Sequence, residues 1–324
     1  MPKSTAKPAS GTKVGLKEKL TETDQPLFLY GAFLLLIITF SLANPLFLST
    51  GNLLNILNQT ALVTIMAAGV ALVIITGEID LSVGSVLALS GVSAALFMNF
   101  VIQNWFLGAL VGITVGALVG FANGILTARL LIPSFLVTLG TLSIARGLAL
   151  IMTGTAPVLV SEKTFWSVFA EASLGGIPAP IIWTILVVSL VWVLLHFSVF
   201  GRRVFATGGN LAAAKFSGIN TRRVKVTVFI ISGALAGLAG VIVAARGHAI
   251  RPDVGAGIEL DVLAAVILGG TSLFGGKGKI YGVILGSLII GILNNGLVLM
   301  GIDPSIQLTI KGALIIIAVA FGRR

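Results

Sequence analysis

Four carboxylates stand out by position: Glu78, Asp80, Glu259 and Asp261 interrupt sequence that is otherwise apolar. An acid close to hydrocarbon is costly unless it faces water or a partner, so each of them needs a reason to be there. The run Gly77-Glu78-Ile79-Asp80-Leu81-Ser82-Val83-Gly84-Ser85 offers one. Its glycines permit a backbone that leaves the helix, Asp80 or Ser82 can cap the helix that follows, and the acids can pair or bind a polar solute. A helix cap at a membrane surface and a broken segment lining a pathway both remain open.

Uncharged amides form a second set. Asn55, Asn58, Gln59, Asn123, Asn294 and Asn295 fall within apolar stretches. An amide can hydrogen-bond a hydroxyl at a modest desolvation cost, as a neutral polyol requires, or it can bond a neighbouring helix. Two cations, Arg146 and Lys311, also interrupt apolar runs. Each needs an acidic or carbonyl partner, and a shared structural role is the favoured reading.

Other chemistries are excluded. The chain has no cysteine and two histidines, His196 and His248, so it builds no disulfide, thiolate nucleophile or His-based metal cluster. The glycine-rich stretch Gly269 to Gly278 suggests a phosphate-cradling loop but fails on spacing. Thr271 stands where the first glycine is required and Gly278 where a Ser or Thr must follow Lys277. It reads as a compact cytoplasmic hairpin, and any nucleotide hydrolysis must occur on another chain.

The elements that position these residues follow from composition. Of 324 residues, 56% are hydrophobic and 10% charged, far below the charge that wets a soluble surface. The apolar runs are long enough to cross a bilayer as helices. The expectation is an all-α polytopic membrane protein with about ten transmembrane helices, near 27–44, 54–76, 82–101, 105–128, 132–152, 177–198, 225–245, 258–273, 280–300 and 305–321. A disordered cytoplasmic tail over 1–26 would precede a transmembrane domain over 27–324.

The net charge of +10 is topological rather than a nucleic-acid footprint. Arg129, the basic 199–224 loop, Lys277, Lys279, Arg323 and Arg324 all fall on one side if both termini are cytoplasmic. The segment 153–176, with Phe165, Trp166 and Phe169, falls outside and suits a short interfacial helix.

Short matches at a near-constant offset relate 52–153 to 222–321: Ala68-Gly69-Val70 with Ala239-Gly240-Val241, and Asn123-Gly124-Ile125 with Asn295-Gly296-Leu297. An odd number of helices separates them, so the two repeats would have inverted topology, as in transporters. Gly108, Gly112, Gly116, Gly120 and Gly124 recur every fourth residue along one helix face, which lets another helix approach closely.

With these motifs in view, the chain resembles the ribose, xylose and galactose type permeases of bacterial ATP-binding-cassette importers, related more distantly to branched-chain amino-acid permeases. The most specific pieces are GEIDLSVG at Gly77–Gly84, GGNLAAAKFSGIN at Gly208–Asn220, ELDVLAAVILGGTSLFGGKG at Glu259–Gly278 and NNGL at Asn294–Leu297. The resemblance implies that Asn210, Ala212, Ala213, Lys215, Phe216 and Gly218 form a segment coupling to an ATPase, with Ala213 and Phe216 buried on docking. Leu211 stands where many members have Glu, which removes a salt bridge from that position.

The resemblance further implies a multi-pass protein of the bacterial inner membrane that forms the translocation pathway for a monosaccharide or polyol. Its partners would be an ABC ATP-binding subunit, a periplasmic solute-binding protein, membrane lipid, and a second permease copy or paralogue. No cofactor is expected on this chain; ATP would be used by the partner. An ion-coupled secondary transporter or facilitator is the competing reading, since midplane polar residues fit it equally well.

Overall fold

The computed structural model describes residues 16–321. Within them the chain runs through α1 (Leu16–Ala43), α2 (Thr50–Ile75), an extended break, α3 (Val83–Phe100), α4 (Trp105–Ala128) and α5 (Ser134–Thr153). Strand β1 (Val158–Leu159), the short helix α6 (Lys163–Trp166), a π-helical turn at Ser167–Glu171 and strands β2 (Ser173–Leu174) and β3 (Ile177–Pro178) lead to α7 (Ala179–Phe197). Two short helices, α8 (Val199–Gly209) and α9 (Leu211–Phe216), precede α10 (Thr221–Arg246). After strand β4 (Ala249–Ile250) come α11 (Ile258–Leu268), α12 (Ile280–Leu299) and α13 (Pro304–Phe321). The strands form two antiparallel pairs, β1 with β4 and β2 with β3.

Among the described residues seven helices, α2, α3, α4, α5, α7, α10 and α12, are long and apolar enough to cross a membrane. Their sequences explain their places. In α2 the most apolar window is 89% buried: apolar all round, it serves as the central post. In α5 and α7 the corresponding share is 22%, and Leu136, Ile144, Leu148, Leu186 and Leu190 lie exposed. Water would not tolerate so large an apolar patch, whereas a bilayer solvates it.

The structure departs from the sequence-based expectations in four places. α1 begins at Leu16, inside the stretch read as an unstructured tail; residues 1–15 and 322–324, with Lys3, Lys7, Lys13, Arg323 and Arg324, lie outside the described residues. The helix expected over 258–273 stops at Leu268, because Gly269 and Gly270, the latter at φ +81, turn the chain. The 199–224 loop is mostly helical, since short amphipathic helices vanish in a hydropathy average. The outer aromatic residues Phe165 and Phe169 are buried in the protein rather than interfacial.

The glycine stripe is a helix contact. A Cβ on Gly116 would overlap the carbonyl oxygen of Gly233, one on Gly233 that of Gly116, and one on Gly120 that of Phe229. Backbone therefore meets backbone along α4 and α10, which form the most extensive helix contact in the chain. Gly108 faces Met98 of α3, and Gly112 meets both Val241 of α10 and Ser90 and Ala94 of α3.

Replacing Gly116 or Gly120 by Ala should force the two helices apart and cost roughly 1–3 kcal/mol each. It should be visible as a lowered thermal midpoint of the purified protein. Gly147→Ala, with nothing within 4 Å of the new methyl, should leave the midpoint unchanged or raise it.

Candidate functional site

The break between α2 and α3 finds several of its backbone partners within the protein. Gly77, at φ +81, ends α2, and the chain then runs extended to Ser82. Glu78 N bonds back to Val73 O at 3.2 Å, Ile79 N donates to Ser134 Oγ at 3.0 Å, and Thr138 Oγ1 donates to Ile79 O at 3.4 Å. Two hydroxyls of α5 thus bond both the N–H and the carbonyl of Ile79 in an irregular segment.

Asp80 is the centre of that segment and is 1% exposed. Its Oδ1 accepts from Ser82 N at 3.0 Å and Ser82 Oγ at 2.6 Å, and its Oδ2 accepts from Ser232 Oγ of α10 at 2.9 Å. Asn123 Nδ2 of α4 donates to Ser82 Oγ at 3.0 Å, and Thr141 Oγ1 of α5 donates to Asn123 Oδ1 at 2.6 Å. Ser82 is the N-cap residue of α3 but makes no capping bond with its own side chain. Asp80 and Asn123 are therefore enclosed and bonded by protein, and they tie α3, α4, α5 and α10 together.

Glu78 forms an ion pair with Lys225, both partly buried. Lys225 and Ser232 are about 10 Å apart along α10, so the break descends from a charged end at Glu78 to an enclosed carboxylate at Asp80.

The second polar group joins α11, α12 and α13. Lys311 Nζ lies 3.0 Å from Asp261 Oδ2, and Asn294 Nδ2 donates to the same oxygen at 3.3 Å. Asn295 and Asn52 of α2 exchange amide hydrogen bonds of 3.0 Å in both directions. Asn55 and Gln59 lie on an exposed face of α2, joined by a 3.1 Å bond. Two amide oxygens, Asn58 Oδ1 and Asn294 Oδ1, are buried with no hydrogen-bond partner among the described residues, which is uncommon for a buried acceptor.

Arg146 and Lys311 each have a partner of the kind expected, two carbonyls for one and an acid for the other, though the partners differ between them. Arg146 Nη1 donates to the carbonyls of Pro252 and Val254, each at 2.7 Å, pinning the turns before α11, with Glu259 within electrostatic reach. The Glu259 carboxylate lies over Gly84, where a Cβ would come 2.5 Å from Oε2. In the connection between α10 and α11, Arg251 grips Asp253 through two bonds of 2.9 and 2.6 Å, which hold the Asp253 carboxyl below its usual range.

The 269–278 stretch is a tight turn, with Ser272 N on Lys277 O at 3.0 Å and Gly276 N on Ile75 O at 2.9 Å. It packs on the end of α2 and on Gly208 of α8. His248 stacks on Trp166 with ring centroids 4.0 Å apart and has Nε2 2.7 Å from Glu171 Oε1. His196 Nδ1 lies 3.1 Å from Trp192 O. Neither belongs to a metal-ligating group among the described residues.

Beyond the spans, α9 is closed at both ends. Asn210 Oδ1 accepts from Ala213 N at 3.0 Å. At the other end Gly218, at φ +77, allows Gly218 N to reach Lys215 O and Ile219 N to reach Ala214 O, both at 3.0 Å. Only Ala214 of this helix is buried; Ala212, Ala213 and Lys215 are exposed, and Phe216 is 93% exposed.

Sequence reasoning missed Lys225, Ser232, Thr141 and Asn52 as partners of the residues it singled out. Ser232 adjoins Gly233 on the glycine face, a usable clue; Thr141 and Asn52 gave no comparable signal.

Replacing only Lys225 with Met should leave the Glu78 carboxylate partly buried and unpaired and cost more than the double change Glu78→Gln with Lys225→Met, by roughly 1–3 kcal/mol. Thermal midpoints of the two single variants and the double variant check this; additive losses would show that the pair is not coupled.

Comparison with known proteins bears on this arrangement. Residues 52–319 match the family described as branched-chain amino acid transport system / permease component. The chain is 43% identical over 297 residues to the ribose import permease protein RbsC of Bacillus subtilis (strain 168), covering 91% of each protein. It is 40% identical over 298 residues to the D-allose transport system permease protein AlsC of Escherichia coli (strain K12), again covering 91% of each. With the L-arabinose ABC transporter permease protein AraH of Azospirillum brasilense identity is 38% over 292 residues, 90% of this chain and 85% of that one. No solved structure matches the chain.

Proposed function

Because the chain belongs to the branched-chain amino acid transport system / permease component family, we propose that it forms the membrane pathway of an ATP-driven importer for a monosaccharide or similar polyol in the bacterial inner membrane. It is a transport subunit and not an enzyme. Its partners are an ATP-binding subunit that hydrolyses ATP, a periplasmic solute-binding protein, and a second permease copy or paralogue; the chain itself binds no cofactor.

The observation that carries this reading is α9. A six-residue helix capped at both ends, with Phe216 93% exposed, makes little sense as a free loop in water. As a docking knob for a motor subunit it does, with Ala213 and Phe216 becoming buried on contact. A carrier driven by an ion gradient has no need of it.

The topology proposed has ten spans with both termini cytoplasmic. The apolar part of α1, Leu29–Ala43, and α13 bring the full-length helices to nine, and α11, about 16 Å long, makes the tenth crossing together with the turns at 251–257 that precede it. Two inverted repeats, about 52–153 and 222–321, account for the packing: α10 rests on α3 and α4, and α2 rests on α11 and α12. They also account for the two polar groups. One unites an acid before α3 with an Asn of α4 and a hydroxyl of α5; the other unites an acid of α11 with an Asn of α12 and a Lys of α13.

The solute path proposed follows the α2 and α12 side, past Asn55, Asn58, Gln59 and Asn294. The similar proteins are named for ribose, D-allose and L-arabinose, neutral solutes rich in hydroxyl donors, and the open Asn58 and Asn294 oxygens are acceptors. Asn58→Leu should therefore reduce ribose uptake several-fold while keeping or raising the thermal midpoint, because an unsatisfied buried oxygen is removed. Unchanged uptake would assign Asn58 to packing.

Phe216→Asp and Ala213→Asp should each weaken association with the cognate ATPase by at least tenfold and abolish ATP-dependent uptake in proteoliposomes, with the permease still folded. Uptake that proceeds without ATP and collapses with the ion gradient would overturn the importer reading.

A further inference from the structure

The corner where α7 meets α8 holds two guanidinium groups at the end of a helix whose exposed apolar face forms a groove. Ser198 caps α8, its Oγ accepting from Gly201 N at 3.0 Å, so Arg202 and Arg203 follow the end of the α7 span within about one turn. Gly201, Val204 and Thr207 face inward and are buried. Val199, Arg202 and Arg203, spaced i, i+3 and i+4, share the outward face. Both arginines are exposed, and neither has a side-chain hydrogen bond or ion pair among the described residues.

Apolar surface continues upward from that pair. Phe197 is 65% exposed and Val199 53%. On α7, Val193, Leu190, Leu186 and Ile182 follow in steps of three or four and line a groove of about 440 Å³. Phe197 and Leu186 are about 16 Å apart along the helix, close to one leaflet's share of a bilayer core of about 30 Å. Trp192 flanks the groove at the level of Val193, its ring 4.9 Å from that of Phe197 and 6.2 Å from that of His196. An aromatic cluster of this kind is suited to headgroup level.

We propose that this corner binds an anionic phospholipid of the cytoplasmic leaflet, its phosphate held by Arg202 and Arg203 and one acyl chain lying along Val193, Leu190 and Leu186. Guanidinium groups match phosphate oxygens in geometry as well as charge. Basic residues placed only for topology need no apolar surface beside them, whereas here the exposed stripe of α7 runs from Ile182 through Val193 to Phe197, the last residue before the corner. The proposal does not depend on which solute is carried or on what energises transport.

The test uses the full-length chain in nanodiscs of phosphatidylcholine with increasing phosphatidylglycerol, read as the thermal midpoint. The midpoint should rise with phosphatidylglycerol. Arg202→Gln with Arg203→Gln should lower apparent affinity for that lipid roughly 30-fold and leave the midpoint in pure phosphatidylcholine unchanged. Leu190→Trp, which fills the groove without touching charge, should also weaken the response. Arg222→Gln with Arg223→Gln removes equal charge elsewhere and should preserve it.

If that control pair loses the response equally, attraction is diffuse and there is no site. If inorganic phosphate in phosphatidylcholine nanodiscs produces the same rise, the corner binds free anion and not lipid. If the Arg202 and Arg203 changes abolish ATPase association while leaving the lipid response intact, the corner is a protein-docking face. Each of these results overturns the proposal.

Discussion

Hydrocarbon offers no hydrogen bonds, so every backbone group that leaves a helix inside the bilayer must find a partner within the protein. At the Gly77–Ser82 break the N–H groups of Glu78, Ile79 and Ser82 and the carbonyl of Ile79 find such partners, and much of the surrounding architecture follows from how they do so. Ser134 and Thr138 must stand beside Ile79, which fixes α5. Asp80 must be surrounded by donors, which fixes Ser232 of α10. Ser82 is bonded by Asn123, which fixes α4.

The glycine contact between α4 and α10 belongs to the same constraint. Ser232 and Asn123 reach the break from different helices, and they can do so together only where the two backbones lie close. Glycines at Gly112, Gly116 and Gly120, opposed by Gly233 and Gly237, allow that approach. Van der Waals packing and polar bonds then act jointly, as they must in a medium where burial of apolar surface gives no driving force between helices.

The two ends of the assembly serve contact with other phases. On one side Arg146 pins the turns before α11, and strands β1 and β4 tie the aromatic 158–171 segment to the chain. On the other, the 269–278 turn, α8 and α9 gather around the end of α2. That side presents charge and two strongly exposed aromatic rings, Phe216 of α9 and Phe274 of the turn.

How much of this was legible in the residues depends on the range of the forces concerned. The spanning helices, the interruption at Gly77–Ser82, the close-packing face of α4 and the failed phosphate loop were determined by the sequence alone, because each is a local property of length, periodicity or spacing. The partners of the charged and amide residues were decided only by tertiary structure. Lys225 for Glu78, Lys311 for Asp261, Asn52 for Asn295 and the carbonyls of Pro252 and Val254 for Arg146 join positions up to 243 residues apart. Hydropathy records the environment a face requires; which group supplies that environment is settled by helices meeting in space, and no short-range pattern encodes it.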